Sequence, residues 1–155
     1  MPFADILTRL TSAVERGDGA GLASLFLPDG TYVDGFYGAF TGRDAIAAML
    51  TEHFHGVARD FRWQMLDPVC DGQTGYARWI FSYTSTLPGA AGKRCVFDGM
   101  SRFELEGGLI RRYSEVFDRA LALVQLGFAP ERIARTVGRA AERLRDQPEA
   151  KAHLG

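Results

Sequence analysis

Residues 94–127, RCVFDGMSRFELEGGLIRRYSEVFDRALALVQLG, hold two stretches of period-2 hydrophobicity that meet at Gly107 and Gly108. Side chains alternate across a strand, so each stretch divides into two faces, and the glycine pair marks a tight hairpin. In the first stretch Cys95, Phe97, Gly99, Ser101 and Phe103 fall together, apolar or small, opposite Val96, Asp98, Met100, Arg102 and Glu104. In the second, Leu109, Arg111, Tyr113, Glu115 and Phe117 alternate with Ile110, Arg112, Ser114 and Val116. The apolar set is expected to line the concave face of a cupped sheet, with Glu115 among aromatic rings. Desolvation penalises a carboxylate in such a place unless it is hydrogen-bonded or protonated. Glu115 is therefore a candidate catalytic group. An ion pair with Arg78, Arg102 or Arg111 across the sheet stays open as a structural alternative.

Upstream, Phe3, Ile6, Leu7, Leu10 and Val14 recur at helical spacing and Gly17 ends the pattern, which predicts a helix over roughly 3–16. Asp18 is the expected cap of a short helix over 20–26, and Pro28-Asp29-Gly30 reads as a turn. Thr31 to Asp34 reads as a short strand with Tyr32 and Asp34 on one side. Gly35 to Thr41 reads as a loop at a pocket rim, and Arg43 to Phe54 as a helix. The period then changes to 2: Phe61, Trp63 and Met65 alternate with Arg62, Gln64 and Leu66, and another strand runs from Tyr76 to Ser85. After the hairpin come a helix over 120–126 and, from Pro130, an amphipathic helix bearing Ile133, Val137 and Leu144. Residues 1–147 are expected to form one domain, with 148–155 a frayed polar tail. Helices followed by a run of antiparallel strands indicate an α+β fold. Such a curved sheet, wrapped around N-terminal helices and carrying an extra C-terminal helix, leaves a cone-shaped pocket suited to a small molecule.

The 155 residues are 46% hydrophobic, enough for a sizeable core, and carry a net charge of −1. No run of Lys or Arg supplies the electrostatic footprint of a nucleic-acid or anionic-membrane binder. No stretch approaches 18 consecutive apolar residues, and the N-terminus lacks a basic start followed by an apolar run. The two cysteines, Cys70 and Cys95, lie in separate expected strands and read as reduced core thiols of a cytoplasmic protein. Phosphate-binding glycine loops and nucleophile elbows are absent from the sequence.

The order αα-β-α-ββββ resembles the nuclear transport factor 2-like cone fold, which includes ketosteroid isomerase, limonene epoxide hydrolase, scytalone dehydratase and the SnoaL-like polyketide cyclases. The stretches that carry the resemblance are LFLPDGTYVDG (25–35), TGRDAI (41–46), ARWIFSYTST (77–86), the hairpin quoted above and the terminal ALVQLG (122–127). The resemblance places Asp34 where the isomerase keeps its general base, and Glu115 where the epoxide hydrolase keeps one acid of its triad. The other two triad positions hold Ser82 and Thr84, which argues against water activation of that kind. The isomerase's protonated oxyanion-hole Asp falls on Gly99, with Asp98 out of phase by one residue. The resemblance also implies a homodimer formed through the outer sheet face, for which Val96, Met100, Ile110 and Val116 are the expected apolar set.

Two acids in unequal surroundings can divide base and acid roles. Asp34 and Glu115 are thus the expected catalytic pair of a cofactor-independent isomerase, cyclase or dehydratase acting on a small apolar carbonyl compound. Tyr32, His55, Trp63, Tyr83, Phe97, Tyr113 and Phe117 are the expected pocket residues, and neither a metal nor an organic cofactor is required. The spacing of His53 and His55 does not suit a metal pair on one helix face. Simpler roles stay open: Asp34 as a cap of the Gly35 turn, the histidines as helix-end residues, and Trp63 and Trp79 as core. The Arg132, Arg135, Arg139 and Arg143 row reads as a solvated helix face. A non-catalytic domain that only holds a small molecule, or serves in assembly, is the alternative to the enzyme.

Overall fold

The computed structural model describes residues 1–155 as an α+β cone. Helices α1 (Phe3–Arg16) and α2 (Gly19–Ser24) lead into strand β1 (Phe26–Asp34), the short β2 (Gly38–Thr41) and helix α3 (Arg43–Met49). Helix α3 continues as a π-helical turn, Leu50–Phe54. Strands β3 (Ala58–Cys70), β4 (Thr74–Ser85), β5 (Arg94–Glu106) and β6 (Leu109–Phe117) follow, then helices α4 (Arg119–Gln125), α5 (Pro130–Arg145) and α6 (Pro148–Lys151). The six strands form one sheet in the order β2-β1-β6-β5-β4-β3. Every pair is antiparallel except β1 with β6, which makes the sheet mixed.

Helix α1 buries Ile6, Leu7, Leu10 and Val14, and Gly17 closes it in the left-handed region at φ 70°. The Glu15 carboxylate accepts from the Trp63 backbone N–H at 2.9 Å, which stitches α1 to β3. Asp18 caps α2 by accepting from Gly21 N–H at 2.8 Å, as its residue type predicts. Strand β3 bends at two register shifts, beside Asp60 and Asp67, whose φ angles are 54° and 50°. An extra residue in one strand raises local twist, so these breaks help curl the sheet over the helices.

Several boundaries differ from the sequence reading. Strand β1 begins at Phe26, before the Pro28-Asp29-Gly30 turn, and that turn survives as a register break in the β1–β6 pairing between Phe26 and Thr31. Part of the expected rim loop is strand β2, because Gly38 to Thr41 pairs with Asp34 to Thr31. Ile110 points inward and is fully buried, unlike the rest of the outward set. Glu104 pairs with Arg112 but Leu105 with Ile110, so Arg111 is an extra residue that slips the alternation by one. Cys95 is buried, whereas Cys70 is exposed near the β3–β4 turn rather than in the core. The polar tail contains one helical turn, α6. No helix is long and apolar enough to cross a membrane.

Strand β5 outruns β6: pairing between them begins at Gly99 and Phe117, so Arg94 to Asp98 lack a strand partner on that side. The Gln125 side chain of α4 fills part of the gap. Its Oε1 accepts from Val96 N–H at 3.0 Å, and its Nε2 donates to Val96 carbonyl at 2.7 Å. One amide side chain thus reproduces both bonds of a missing strand residue. Replacing Gln125 with Ala is expected to cost about 1 kcal/mol and to accelerate amide exchange at Val96; unchanged exchange there would contradict this role.

Candidate functional site

Parallel pairing of β1 with β6 sets Tyr32 beside Tyr113. Side chains two residues further along both strands lie on the same face, so Asp34 and Glu115 become neighbours. Their carboxyl groups are close enough to act on one another electrostatically. Arg78, Arg102 and Arg111 do not neutralise Glu115: they pair with Asp67, Glu104 and Glu106 respectively.

Each carboxyl is held by donors. Asp34 Oδ2 accepts from the backbone N–H groups of Phe36 at 2.8 Å and Tyr37 at 2.9 Å, so it does cap the turn. Glu115 Oε1 accepts from Gly35 N–H at 2.9 Å, and Oε2 accepts from the Tyr113 hydroxyl at 2.8 Å. Behind Tyr113 the network continues to Ser101 Oγ at 2.7 Å, which accepts from Trp79 Nε1 at 2.8 Å. An indole N–H can only donate, which leaves the Ser101 proton for Tyr113 and the Tyr113 proton for Glu115. The chain is therefore polarised toward Glu115. Arg119 Nε donates to Gly35 carbonyl at 2.5 Å, and its charge acts on both acids. Gly35 is required by space: a Cβ there would overlap Cε1 of Phe117.

The acids open onto a cavity of about 70 Å³ lined by 16 residues, 13 of them hydrophobic. That is well below the roughly 300–1,000 Å³ of drug-sized sites, so the cavity suits a small ligand. Among the expected residues, Tyr32, Trp63, Tyr83, Phe97 and Phe117 line it together with Asp34 and Glu115. Tyr113 does not: it is fully buried behind Glu115. His55 also lies elsewhere, its Nε2 at 2.7 Å from Val14 carbonyl and its ring 4.5 Å from that of Phe61. His53 lines the cavity instead, stacked 4.8 Å from Tyr37. The two histidines diverge around the π-helical turn, where His55 N–H reaches back five residues to Leu50 carbonyl.

Residue type and spacing do not single out Trp79, Ser101, Gly35 or Arg119 as site residues. Alternation places Ser101 on the inner face, but nothing in the chain's pattern reveals that it links an indole to a tyrosine. At Gly99, across the β4–β5 ladder from Trp79, a Cβ would stand 2.6 Å from Cζ2 of the indole. The ring of Trp79 thus occupies the space that an isomerase-like oxyanion-hole acid would need. No cluster of three or more His, Cys, Asp or Glu side chains has the arrangement to hold a metal ion.

Burial pushes the Glu115 carboxyl up to about 8, and the adjacent Asp34 charge adds to the rise against the Gly35 and Tyr113 hydrogen bonds. Burial also raises Asp34, but the N–H groups of Tyr37 and Phe36 and the contact with Glu115 oppose it. Near neutral pH Glu115 therefore holds its proton, and the donors around Asp34 favour charge on that side of the pair. Burial likewise raises Tyr32 and Tyr113, keeping both hydroxyls neutral donors. A folded-state pKa above the unfolded one means that the native protein binds the extra proton. This contribution to stability is complete below pH 4.5 and is lost as pH rises through about 8. In urea unfolding at pH 5 and pH 9, Glu115→Gln is expected to shrink the alkaline loss of stability by at least about 1 kcal/mol; an equal loss in both proteins would contradict the elevated Glu115.

The SnoaL-like domain profile matches residues 7–113, well over half of the chain. No curated protein is significantly similar in sequence. Among solved structures, a protein of ketosteroid isomerase-like fold from Catenulispora acidiphila, crystallised with trimethylamine, is 20% identical with a TM-score of 0.74, covering 82% of this chain and 95% of that one. A polyketide-cyclase candidate from Xanthomonas campestris is 21% identical with a TM-score of 0.66, covering 79% and 95%. An LEH-like epoxide hydrolase from Mycobacterium tuberculosis is 17% identical with a TM-score of 0.63, covering 86% and 94%. At these identities the likeness concerns the fold, whereas the profile match concerns the sequence itself: the chain belongs to the SnoaL-like domain family.

Proposed function

We propose that this protein is a cofactor-independent acid/base enzyme of the isomerase, cyclase or dehydratase type, acting on a small apolar carbonyl compound. The observation that carries the reading is a pair of carboxyls with different hydrogen-bond donors, side by side at the wall of an aromatic cavity. Asp34 removes a proton from the carbon next to the carbonyl, and Glu115 gives its proton to the carbonyl oxygen, forming an enol. One acid becomes neutral as the other becomes charged, so the pair stays at one negative charge throughout. That matters in an apolar cavity, where building up a second charge is costly. The new Glu115 carboxylate is met by donors already in place, Gly35 N–H and the Tyr113 hydroxyl. The enol can then be reprotonated elsewhere, expel a leaving group or attack a second carbonyl.

One observation favours the binding-domain alternative: Asp34 has a structural task, capping the turn through Phe36 and Tyr37. An aromatic cavity with one net negative charge also suits a small cation, and the Catenulispora neighbour was crystallised with trimethylamine. Solvent exchange separates the two readings whatever the product of the full reaction. In D2O, the protein is expected to catalyse deuterium incorporation beside the carbonyl of aryl ketones. Asp34→Asn, which keeps an acceptor for the turn, is expected to slow it by about 10²–10⁴-fold. Ketone binding with no exchange above background would leave the binding domain as the better reading.

The proposed protein is a homodimer through the outer sheet face, where Val96, Met100 and Val116 are exposed and Val116 reaches 79%. Met100 and Val116 are cross-strand partners, so their apolar surfaces adjoin. Free cysteines at Cys70 and Cys95 suit a reducing compartment such as the cytoplasm. Light scattering at micromolar concentration is expected to give twice the chain mass and, for Met100→Glu, the chain mass; a monomeric wild type would remove this proposal.

A further inference from the structure

Phe117 ends β6 and Arg119 opens α4, with Asp118 between them as the helix cap. The Arg119 guanidinium carbon lies 5.5 Å from the centroid of the Phe117 ring, and that ring stands close enough to Gly35 to exclude a Cβ. The guanidinium therefore sits against the turn that follows β1, where its Nε donates to Gly35 carbonyl at 2.5 Å. That carbonyl shares a peptide group with the Phe36 N–H, which donates to Asp34 Oδ2 at 2.8 Å. A single peptide unit thus joins Arg119 to Asp34. The Arg119 charge is not matched in an ion pair: the cations that form one are Arg16, Arg59, Arg78, Arg102, Arg111 and Lys151.

A cation that hydrogen-bonds a peptide carbonyl polarises the whole amide group and makes its N–H a stronger donor. Glu115 has no equivalent. Its donors are the Gly35 N–H, which belongs to the preceding peptide, and the Tyr113 hydroxyl, and Arg119 bonds to neither. Through space the Arg119 charge acts on both acids; through hydrogen bonds it reaches Asp34 alone. We infer that Arg119 is a positioning residue that draws the negative charge of the acid pair to Asp34, acting through the Gly35–Phe36 peptide, and so decides which acid is the base. That Asp34 acts as a base rests on the proposed function; the link from Arg119 rests on the two hydrogen bonds. The other titratable groups around the Asp34 carboxyl are Glu115 on β6 and the tyrosines Tyr32, Tyr37 and Tyr83, with His53 lining the same cavity. Burial raises Asp34, and Arg119 supplies the positive charge that opposes the rise. Arg143 of α5 acts on Arg119 in turn, as a like charge.

The test begins with the ligand-free protein. Carboxyl-carbon spectra of aspartate-labelled protein, with Asp34 assigned from Asp34→Asn, follow its titration directly, and amide spectra follow Phe36 and Tyr37. In Arg119→Met, Asp34 is expected to take up its proton at a pH higher by about one unit, because its charge has lost a cation and a strengthened donor. At a pH where Asp34 is ionised in both proteins, the Phe36 amide proton is expected to move upfield by more than that of Tyr37. Tyr37 donates to the same Asp34 oxygen from a peptide that Arg119 does not touch, so it serves as the control. Arg119→Lys, which keeps the charge, is expected to lie between the two proteins, and Arg119→Gln replaces the Met variant where that one does not fold. An Asp34 titration that stays in place in a folded variant, or one that moves while the Phe36 amide does not, overturns the inference. In the ketone exchange assay the acidic limb of the rate profile is expected to follow Asp34 to higher pH, whereas a purely structural role would lower the rate evenly across pH. A limb that stays in place would overturn the assignment of the base. A moved Asp34 titration in a protein whose wild type exchanges no ketone would leave the link from Arg119 standing and reject the enzyme reading.

Discussion

Parallel pairing of β1 with β6 is the constraint from which the site follows. Antiparallel neighbours would run away from one another beyond the tyrosine pair; parallel ones carry Asp34 and Glu115 forward together. The contact then governs the electrostatics, since two adjoining carboxyls in an apolar wall cannot both be ionised at modest cost. Strand order therefore decides a protonation state. The two acids lie far apart in the chain, and only the closure of β1 onto the last strand of the hairpin brings them together.

The surrounding structure divides the two acids by giving them different donors. Asp34 has two N–H groups of its own turn, which favour its charge. Glu115 has the Gly35 N–H and the end of a relay that starts at the Trp79 indole. Burial and the neighbouring charge outweigh those two bonds at Glu115, while the two backbone bonds restrain the rise at Asp34. The aromatic rings exclude water, strengthen every remaining polar contact and orient the few groups that make them.

Much of the fold is legible in the alternation of residues 95–103 and 113–117, because a strand with one buried face must declare that face every second residue. The same rule fails at Ile110, where the extra residue Arg111 reverses the phase, and bulges of this kind leave no mark in a hydrophobic pattern. Asp34 and Glu115 stand out because acids near aromatic residues are conspicuous. Ser101, Gly35 and Arg119 do not, since each acts through a partner distant in sequence: Tyr113 and Trp79, Glu115, and Gly35. The misplacement of His55 has the same origin, for a π-helical turn redirects the chain through a backbone detail that residue type does not announce.

The close approach of Gly99 to Trp79 bears on how chemistries diverge within one fold. Placing a carboxyl at position 99 would drive it into the indole, and shrinking the indole alone would empty the wall and break the relay to Ser101 and Tyr113. The Val116 carbonyl oxygen of β6 also stands 2.6 Å from a Cβ at 99, so a route from this site to one with an oxyanion-hole acid on β5 needs a shift of the β6 backbone as well as changes at positions 99 and 79. Small residues packed against large ones in this way act as historical locks: they hold a lineage to its present arrangement of donors even where the scaffold accommodates another.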